Sequence, residues 1–397
     1  MIQKHTNQRI AVIGAGLGGL CLAQGLKKNG LHCKIFEKDA AINTRTQGYR
    51  IRVNEPGRNA LQKCLPEDLY SLFINTCAAS YRGMNVLTTT LASTQNDLVE
   101  SWSDGIREVP DLKPNRLTLR EILLHGLQEN ISFGKELISW TELANQKIEL
   151  SFADGTKYIA DWVIAADGVH SKIGAEYCGD QKVNTGNITI YGRTFHSPEA
   201  LEAISPELQK GTSVIIENQY SLIIDAMVFD PFRKGKPKDI VSPVSNYFYW
   251  AFIGDPKAFG LSQADFYRHS GEEILPVIHK LTDGWHPQLT ALFNYADQKS
   301  LSINPIRSSL PKEPWPSGNI TALGDAVHTM SPAGGVGANT AFIDAALLTE
   351  NIMNHSNIST AIADYEHKMR VYSNQAVELS LQGGEILHGA HKKDKYE

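Results

Sequence analysis

Residues 10–37 constrain the fold of this chain more than any other stretch. Ile10-Ala11-Val12-Ile13 is an apolar run of the length of a buried parallel strand. Gly14, Gly16 and Gly19 follow in G-x-G-x-x-G spacing. Leu20, Leu22, Ala23 and Leu26 then carry a helical pattern that stops at Asn29-Gly30, a C-cap signal. Cys33-Lys34-Ile35-Phe36 supplies a second strand and delivers Glu37 to its end. Gly14 permits a tight turn, Gly16 lets a pyrophosphate approach the backbone, and Gly19 lets the helix pack close to the strand. The helix N-terminus offers free N–H groups and partial positive charge to that pyrophosphate. A carboxylate at Glu37, at this remove from Gly14, suits the hydrogens of a ribose diol. The fingerprint reads as a dinucleotide-binding strand–helix–strand unit and leaves NAD and FAD both open. The alternative is a glycine-rich turn in an ordinary α/β domain.

Composition narrows the rest. A chain of 397 residues has room for two to three domains. With 42% hydrophobic and 20% charged residues it is neither disordered nor collagen-like. A net charge of −5 and the lack of a long basic run argue against nucleic acid as a partner. The five cysteines are odd in number and form no C-x-x-C pair, which suggests free thiols in a reducing compartment and no metal site. The first residues lack the apolar core of a signal peptide. The run from Ile10 is broken by glycines and is no membrane span. A cytoplasmic location with no membrane partner is the expectation.

Further along, Ile51 and Val53 alternate with Arg50 and Arg52 in a strand-like stretch. Arg45 and Arg52 are candidates to meet a dinucleotide's phosphates; solvated charge is the other reading. Two short helices are expected over 56–64 and 66–77, and a strand over 84–91. The polar stretch 93–114 suggests a hairpin and a connection. Arg116 opens an amphipathic helix, where a cation opposes the helix dipole. That placement is unfavourable unless an anion or an electron-rich ring lies nearby, so Arg116 is a cofactor candidate. Strands over 147–152 and 157–165 flank the turn Asp154-Gly155, and the second ends at Asp167-Gly168.

From 186 to 300 the texture becomes antiparallel, with strands expected over 188–195, 212–218, 221–229 and 246–254. Residues 231–243 read as a long loop. Tyr247 and Tyr249 face opposite to Phe248, Trp250 and Phe252. This aromatic strand, near Trp250, either packs a core or lines a pocket for a flat ligand. A helix over 263–281 is expected to cover the sheet. A last strand ends at Gly324-Asp325. A glycine-rich loop then opens a helix with Ala338, Ala341, Ala345, Leu348 and Ile352 on one face. A final helix over 359–380 completes the pattern.

Gly14-x-Gly16-x-x-Gly19 with Glu37, Asp167-Gly168, and Gly324-Asp325 stand in that order. The set resembles the single-component (class A) FAD-dependent aromatic monooxygenases of the para-hydroxybenzoate hydroxylase type, over residues 9–380. The resemblance implies an α/β protein with a Rossmann-like FAD-binding domain, an antiparallel-sheet substrate domain and a C-terminal helix. The implied division is 1–82 with 106–185 and 301–357 for FAD, 83–105 with 186–300 for substrate, and 358–397 for the C-terminal helix and tail. It assigns Gly14, Gly16 and Gly19 to the FAD pyrophosphate and Glu37, with Lys38 beside it, to the adenosine ribose. Arg45 matches an arginine near the flavin and nicotinamide path, with Arg52 also near the cofactor. Arg116 matches a helix-start arginine that contacts FAD. Asp325 binds the ribityl and pyrophosphate region, and Pro332, Gly335, Gly337, Ala338 and Asn339 run along the isoalloxazine. Asp167 belongs to a motif that serves both FAD and NAD(P)H. One departure stands out: the arginine that often ends this motif is Gly174 here, and Lys172 is the nearest cation.

The activity implied is hydroxylation of a flat aromatic, phenolic or polyketide-like small molecule, with NADPH or NADH as reductant and O2 as co-substrate, through a flavin C4a-hydroperoxide. The chemistry is mostly the cofactor's, so no acid or base is nominated, and His328 reads as structural. An FAD-dependent reductase or dehydrogenase without oxygen transfer, and a non-catalytic flavin-binding protein, are the alternatives. Monomer and homodimer both remain open.

Overall fold

The computed structural model describes residues 8–44, 49–81, 83–94, 110–229, 239–262, 270–332 and 335–387. Arg45, most of the 93–114 stretch and most of the 231–243 loop lie outside them, as do the first residues of the helix expected over 263–281.

Fourteen strands among the described residues build three sheets. They are β1 (Ile10–Ile13), β2 (Cys33–Phe36), β3 (Met84–Leu87), β4 (Ile131–Ser132), β5 (Leu137–Glu142), β6 (Ile148–Phe152) and β7 (Lys157–Ala160) in the first half of the chain. The second half supplies β8 (Trp162–Ala165), β9 (Lys182–Phe195), β10 (Thr212–Ile216), β11 (Tyr220–Met227), β12 (Tyr247–Gly254), β13 (Ser302–Ser309) and β14 (Ile320–Ala322).

The first sheet is parallel, in the order β14-β8-β1-β2-β4. Every residue of β1 is buried, as befits a strand with neighbours on both edges and helices over its faces. Ile10 pairs with Cys33 on one side and Trp162 on the other. Helix α1 (Leu17–Lys28) follows β1 and ends at Asn29, with Gly30 at φ +76°. Helices α2 (Glu55–Cys64), α3 (Glu67–Thr76) and α4 (Arg116–Leu124) come next. The short helices α5 (Lys172–Glu176) and α6 (Pro198–Ala203), then α7 (Gly271–Leu281) and α8 (Pro287–Asn294), belong to the middle of the chain. The chain closes with α9 (Gly337–Asn354) and α10 (Ile358–Leu387). Small residues seat α9 on α1: a Cβ on Gly18 would lie 3.2 Å from the Cβ of Ala341. Ala345, Leu348 and Ile352 are buried along the face expected from their spacing.

The second sheet runs β13-β9-β12-β11-β10-β3, antiparallel except where β10 meets β3. Phe248, Trp250 and Phe252 point from β12 into a core with Ile274 and Ile278 of α7 and Leu289, Leu292 and Phe293 of α8. The third sheet is the antiparallel meander β5-β6-β7.

Two expectations needed correction. The single strand expected over 157–165 is two strands: at Asp161 the chain leaves the meander and enters the parallel sheet. The Asp161 amide donates to Arg9 O at 2.9 Å, and the Arg9 amide donates to the Asp161 carboxylate at 2.7 Å. Strands β4, β5 and β13 went unforeseen. In β13, Pro305 cannot donate to a ladder, and the pairing register shifts between Pro305 and Arg307. Only long-range pairing with the 14-residue β9 makes that stretch a strand. All five cysteines are free and buried. No described helix is long and apolar enough to cross a membrane.

Candidate functional site

The ends of β1, β8 and β14 open on one cleft of about 310 Å³. Gly14, Gly16, Glu37, Lys38, Arg116, Asp167 and Asp325 all line it, so three turns far apart in the chain meet in space. The three glycines differ in what surrounds them. Gly14 has φ +101°, and a Cβ there would sit 2.4 Å from Ala166 O. A Cβ on Gly19 would sit 2.3 Å from Gly14 O, so this glycine sets the helix–strand distance. A Cβ on Gly16 would meet nothing closer than 3.9 Å. The chain's own packing does not require glycine there, and the cleft side of the turn is left bare. Gly16 is also the N-cap of α1, with no capping side chain and no acid in the first turn. An uncapped helix start of this kind suits an anion.

Glu37 is buried and already engaged. Its carboxylate accepts from Ala15 N at 2.7 Å and Asp39 N at 2.9 Å, and lies 3.5 Å from the Arg120 guanidinium. Arg120 also donates to Ala15 O and Ile42 O. Glu37 thereby holds the Gly14–Gly16 turn in shape as well as presenting charge to the cleft. Sequence reasoning missed Arg120, although it falls four residues after Arg116 on the same helix, one turn along.

At the second turn, Gly168 has φ +82°. Oδ1 of Asp167 is buried without a hydrogen-bond partner among the described residues. Burial raises the Asp167 pKa, against a hydrogen bond from Ser171 and the charges of Lys38 and Lys182. The departure at Gly174 has a steric cause: a Cβ there would lie 1.8 Å from Ala326 O, so no side chain fits. Lys172 donates to Ile138 O at 2.9 Å.

The third turn, Gly324–Ala326, is fixed from behind. Asp344 of α9 is fully buried and accepts from Gly324 N at 2.8 Å, His328 Nε2 at 2.6 Å and the Tyr372 hydroxyl at 2.5 Å. Burial alone would lower the His328 pKa, but Asp344 outweighs it and raises the value. Asp325 reaches solvent through the cleft yet is ringed by protein. That desolvation lifts its pKa against the pull of His328 and Arg116. A Cβ on Gly337 would lie 4.0 Å from Asp325 Oδ1, so the start of α9 adjoins this turn. Asn339 ties α9 to the 52–54 stretch, donating to Arg52 O and Gly335 O and accepting from Asn54 N. Gly335 lies against the Arg52 side chain, Arg52 is ion-paired with Asp111, Pro332 is exposed and Ala338 half-buried. These residues flank the cleft rather than line it.

Arg116 and Arg120 form a wall shared with a second cavity of about 500 Å³. Tyr49, Arg193, Phe195, Tyr247 and the segment 242–245 complete it. Tyr247 donates to Tyr49 O at 2.7 Å and accepts from Asn115 Nδ2 at 3.0 Å; Tyr49 donates to Ser300 O at 3.2 Å. Burial raises both phenol pKa values, that of Tyr49 to about 12, so both stay neutral. Asn115 caps α4 through Leu117 N and Thr118 N, which fixes Arg116 at the helix start. Ser242 is latched to the Glu121 carboxylate on α4 by its amide at 2.8 Å and its hydroxyl at 2.5 Å. The aromatic strand does reach this cavity, but by its other face. Trp250 is fully buried, donates Nε1–H to Thr194 Oγ1 and meets Phe293 edge to face at 5.2 Å. It belongs to the core, and Tyr247 is the member at the cavity.

The bare Gly16 turn, the acid at the end of β2 and the parallel sheet are the features of a Rossmann-type dinucleotide-binding fold. The FAD binding domain profile matches residues 130–380, and an NAD(P)-binding Rossmann-like domain profile matches residues 12–61. The chain belongs to the FAD-binding domain family of the para-hydroxybenzoate hydroxylase-like flavoproteins. It is 31% identical over 409 residues to a dual O-methyltransferase/FAD-dependent monooxygenase of Cercospora beticola, covering 96% of this chain and 46% of that protein. The chain thus spans about half the length of the curated relatives of that kind. It is 26% identical to an FAD-dependent urate hydroxylase of Klebsiella oxytoca, covering 95% and 90%. A crystal structure of a Photorhabdus luminescens protein described as an FAD-containing monooxygenase superposes with a TM-score of 0.83 at 28% identity, over 98% of this chain and 100% of that one.

Proposed function

We propose that the chain is an FAD-dependent monooxygenase that uses NAD(P)H and O2 to hydroxylate a flat aromatic, phenolic or polyketide-like molecule. The observation that carries this reading is the single cleft formed by the Gly14–Gly16, Asp167–Gly168 and Gly324–Asp325 turns, sharing the Arg116 wall with an aromatic-lined cavity. The relatives' names support it, since they describe FAD-dependent monooxygenases and a hydroxylase. The working division is residues 1–82, 106–185 and 301–357 for the cofactor and 83–105 with 186–300 for the substrate.

Bound FAD would supply the redox chemistry, accepting electrons from the nicotinamide and activating O2. The chain's residues bind, orient and shield. The α1 N-terminus at Gly16, with Gly14 and Gly19 shaping its approach, would hold the diphosphate. Glu37 and Lys38 receive the adenosine side. Asp325 takes hydroxyls of the ribityl chain, and Arg116 offers its charge where cleft and cavity meet. Gly335, Gly337, Ala338 and Asn339, with Pro332 and Arg52 beside them, would border the ring. The α9 N-terminus would offer its dipole to negative charge there. Tyr49, Tyr247, Phe195 and Val244 give the cavity an apolar lining. Neither tyrosine is free to act as a base, because both phenols are held neutral and donate to carbonyls.

The test is purification of a yellow protein, followed by a screen of aromatic and polyketide-like compounds for stimulated NAD(P)H oxidation, with labelled dioxygen. Incorporation of one labelled oxygen atom into product is expected. Turnover that proceeds without oxygen, or consumes it with no label in any product, would sink the proposal.

A further inference from the structure

We infer that residues 240–245 form a hinged strap along the aromatic-lined cavity, that Glu121 is the positioning residue that latches it through Ser242, and that opening of this latch admits a flat ligand. This deepens the proposed function by naming how the cavity is entered, and it rests on that reading for the cavity's role.

Two of the cavity's walls come from different parts of the fold. Helix α4 gives Arg116, Leu117, Thr118 and Arg120, and residues 242–245 of the strap give the second. The α4 wall is fixed: Asn115 caps the helix through Leu117 N and Thr118 N, and Arg120 donates to Ala15 O and Ile42 O. The latch joins the two walls. Ser242 donates its amide to Glu121 Oε2 at 2.8 Å and its hydroxyl to Oε1 at 2.5 Å, so one side chain of α4 holds the strap through both carboxylate oxygens.

Little else holds the strap. Among the described residues, 240–245 make no backbone–backbone hydrogen bond, and Ser242, Pro243 and Ser245 are exposed. Ile240 and Val241 are half-buried against the core of the parallel-sheet unit, and Val244 against the cluster that contains Tyr49 and Tyr247. The C-terminal end is anchored. Asn246 accepts from His196 N at 3.1 Å through its carbonyl and from Phe229 N at 2.8 Å through Oδ1. The hinge therefore lies at 243–245, between the Asn246 anchor and the Ser242 latch. A segment with one fixed end, no ladder and few buried apolar contacts opens at small cost. A hydrogen bond at an exposed site adds little to global stability, because water replaces it. Its effect here is on position: Glu121 sets how often the seam between strap and α4 is open, and such a lid governs entry and release.

The experiment reads access to the cavity with 4,4′-dithiodipyridine, a neutral flat aromatic disulfide, on the flavin-loaded protein. Thr118 lines the cavity, is buried and lies one turn before Glu121, so Thr118→Cys places a reporter thiol at the seam. All five native cysteines are buried, and the parent protein gives the background. The reporter should react at least about 10-fold more slowly in the folded protein than in urea. Adding Glu121→Ala, which removes both bonds, should speed labelling by roughly 10-fold, and Ser242→Ala, which removes one, by roughly 3-fold. Ser242→Thr keeps the hydroxyl and should stay within about 2-fold of the parent rate. The urea midpoint for flavin release should move by less than about 0.3 M throughout, which separates a latch from a structural prop. Equal rates folded and unfolded, a change below about 2-fold with Glu121→Ala, or an acceleration that tracks a falling midpoint would overturn the inference. Should Thr118→Cys lose its flavin, the same series on Val244→Cys, at the strap's contact with the aromatic cluster, decides it. Because labelling is read without turnover, a protein that shows the latch but transfers no oxygen would refute the proposed function alone.

Discussion

Replacing Glu37 by glutamine tests whether the acid at the end of β2 is part of the scaffold. The substitution keeps shape and removes charge. The carboxylate now accepts from Ala15 N and Asp39 N and faces Arg120 at 3.5 Å, with both side chains 7% exposed. At an effective dielectric near 20 the Coulomb attraction alone is about 5 kcal/mol. An amide can accept only one of the two N–H groups through its oxygen. Its NH2 would then confront the other donor, and an unsatisfied buried group costs about 1–3 kcal/mol. Arg120 keeps its bonds to Ala15 O and Ile42 O, which offsets part of the loss. Removing one partner of a buried pair typically costs about 3–5 kcal/mol, and that is the expected value here. A multidomain chain does not unfold in one step, so the quantity to read is the midpoint of the transition that releases flavin. With a urea slope near 3 kcal/mol per M, that midpoint should fall by about 1 M or more. A fall below about 0.3 M, with flavin retained, would refute the scaffold role and leave Glu37 as a surface for ligand alone.

Three further outcomes follow from the site. Asp325→Ala should yield a folded protein without flavin, read from the ratio of flavin to protein absorbance; a fully yellow variant would contradict its place in the cofactor cleft. Trp250→Ala should cost about 3–5 kcal/mol by opening a hole against Phe293 and Gly192, read as a fall in the urea midpoint; an unchanged midpoint would refute its place in the core. His196 is packed on Phe248 with its ring centroid 4.1 Å away, and burial lowers its pKa to about 4. Its folded value lies below the unfolded 6.5, so its contribution is complete above pH 6.5 and is lost as pH falls towards 4. Allowing for its partial exposure, the loss is no more than about 2 kcal/mol. His196→Phe should flatten the stability profile in that window, and an unchanged acid limb would show that another group titrates there.

How much of the fold is legible in the sequence depends on the range of the interaction. The dinucleotide unit is readable because local rules write it. A turn that needs φ +101°, a helix that needs close approach and a short buried strand all fall between Ile10 and Glu37. The small-residue face of α9 and the Asp154–Gly155 hairpin are readable for the same reason. The split of 157–165 at Asp161 is not, since period-2 patterning cannot say that two halves of one apolar run pair in different sheets. Nor is β13, whose proline and polar residues become a strand only beside β9.

At the cavity the division is sharper. Alternation along 247–252 establishes that the aromatic side chains form two faces, without saying which face meets a core and which a ligand. That is decided by α7 and α8, which take Phe248, Trp250 and Phe252 and leave Tyr247 to the cavity. Likewise the residue order fixes three glycine-containing turns and their partial charges. Only the parallel pairing of β14, β8 and β1 carries those turns to one mouth, and only the β9 register holds Arg193 against the distant Asp297. Backbone conformation and side-chain chemistry are local properties written residue by residue. Which charges face each other is a property of long-range packing, and no window of sequence contains it.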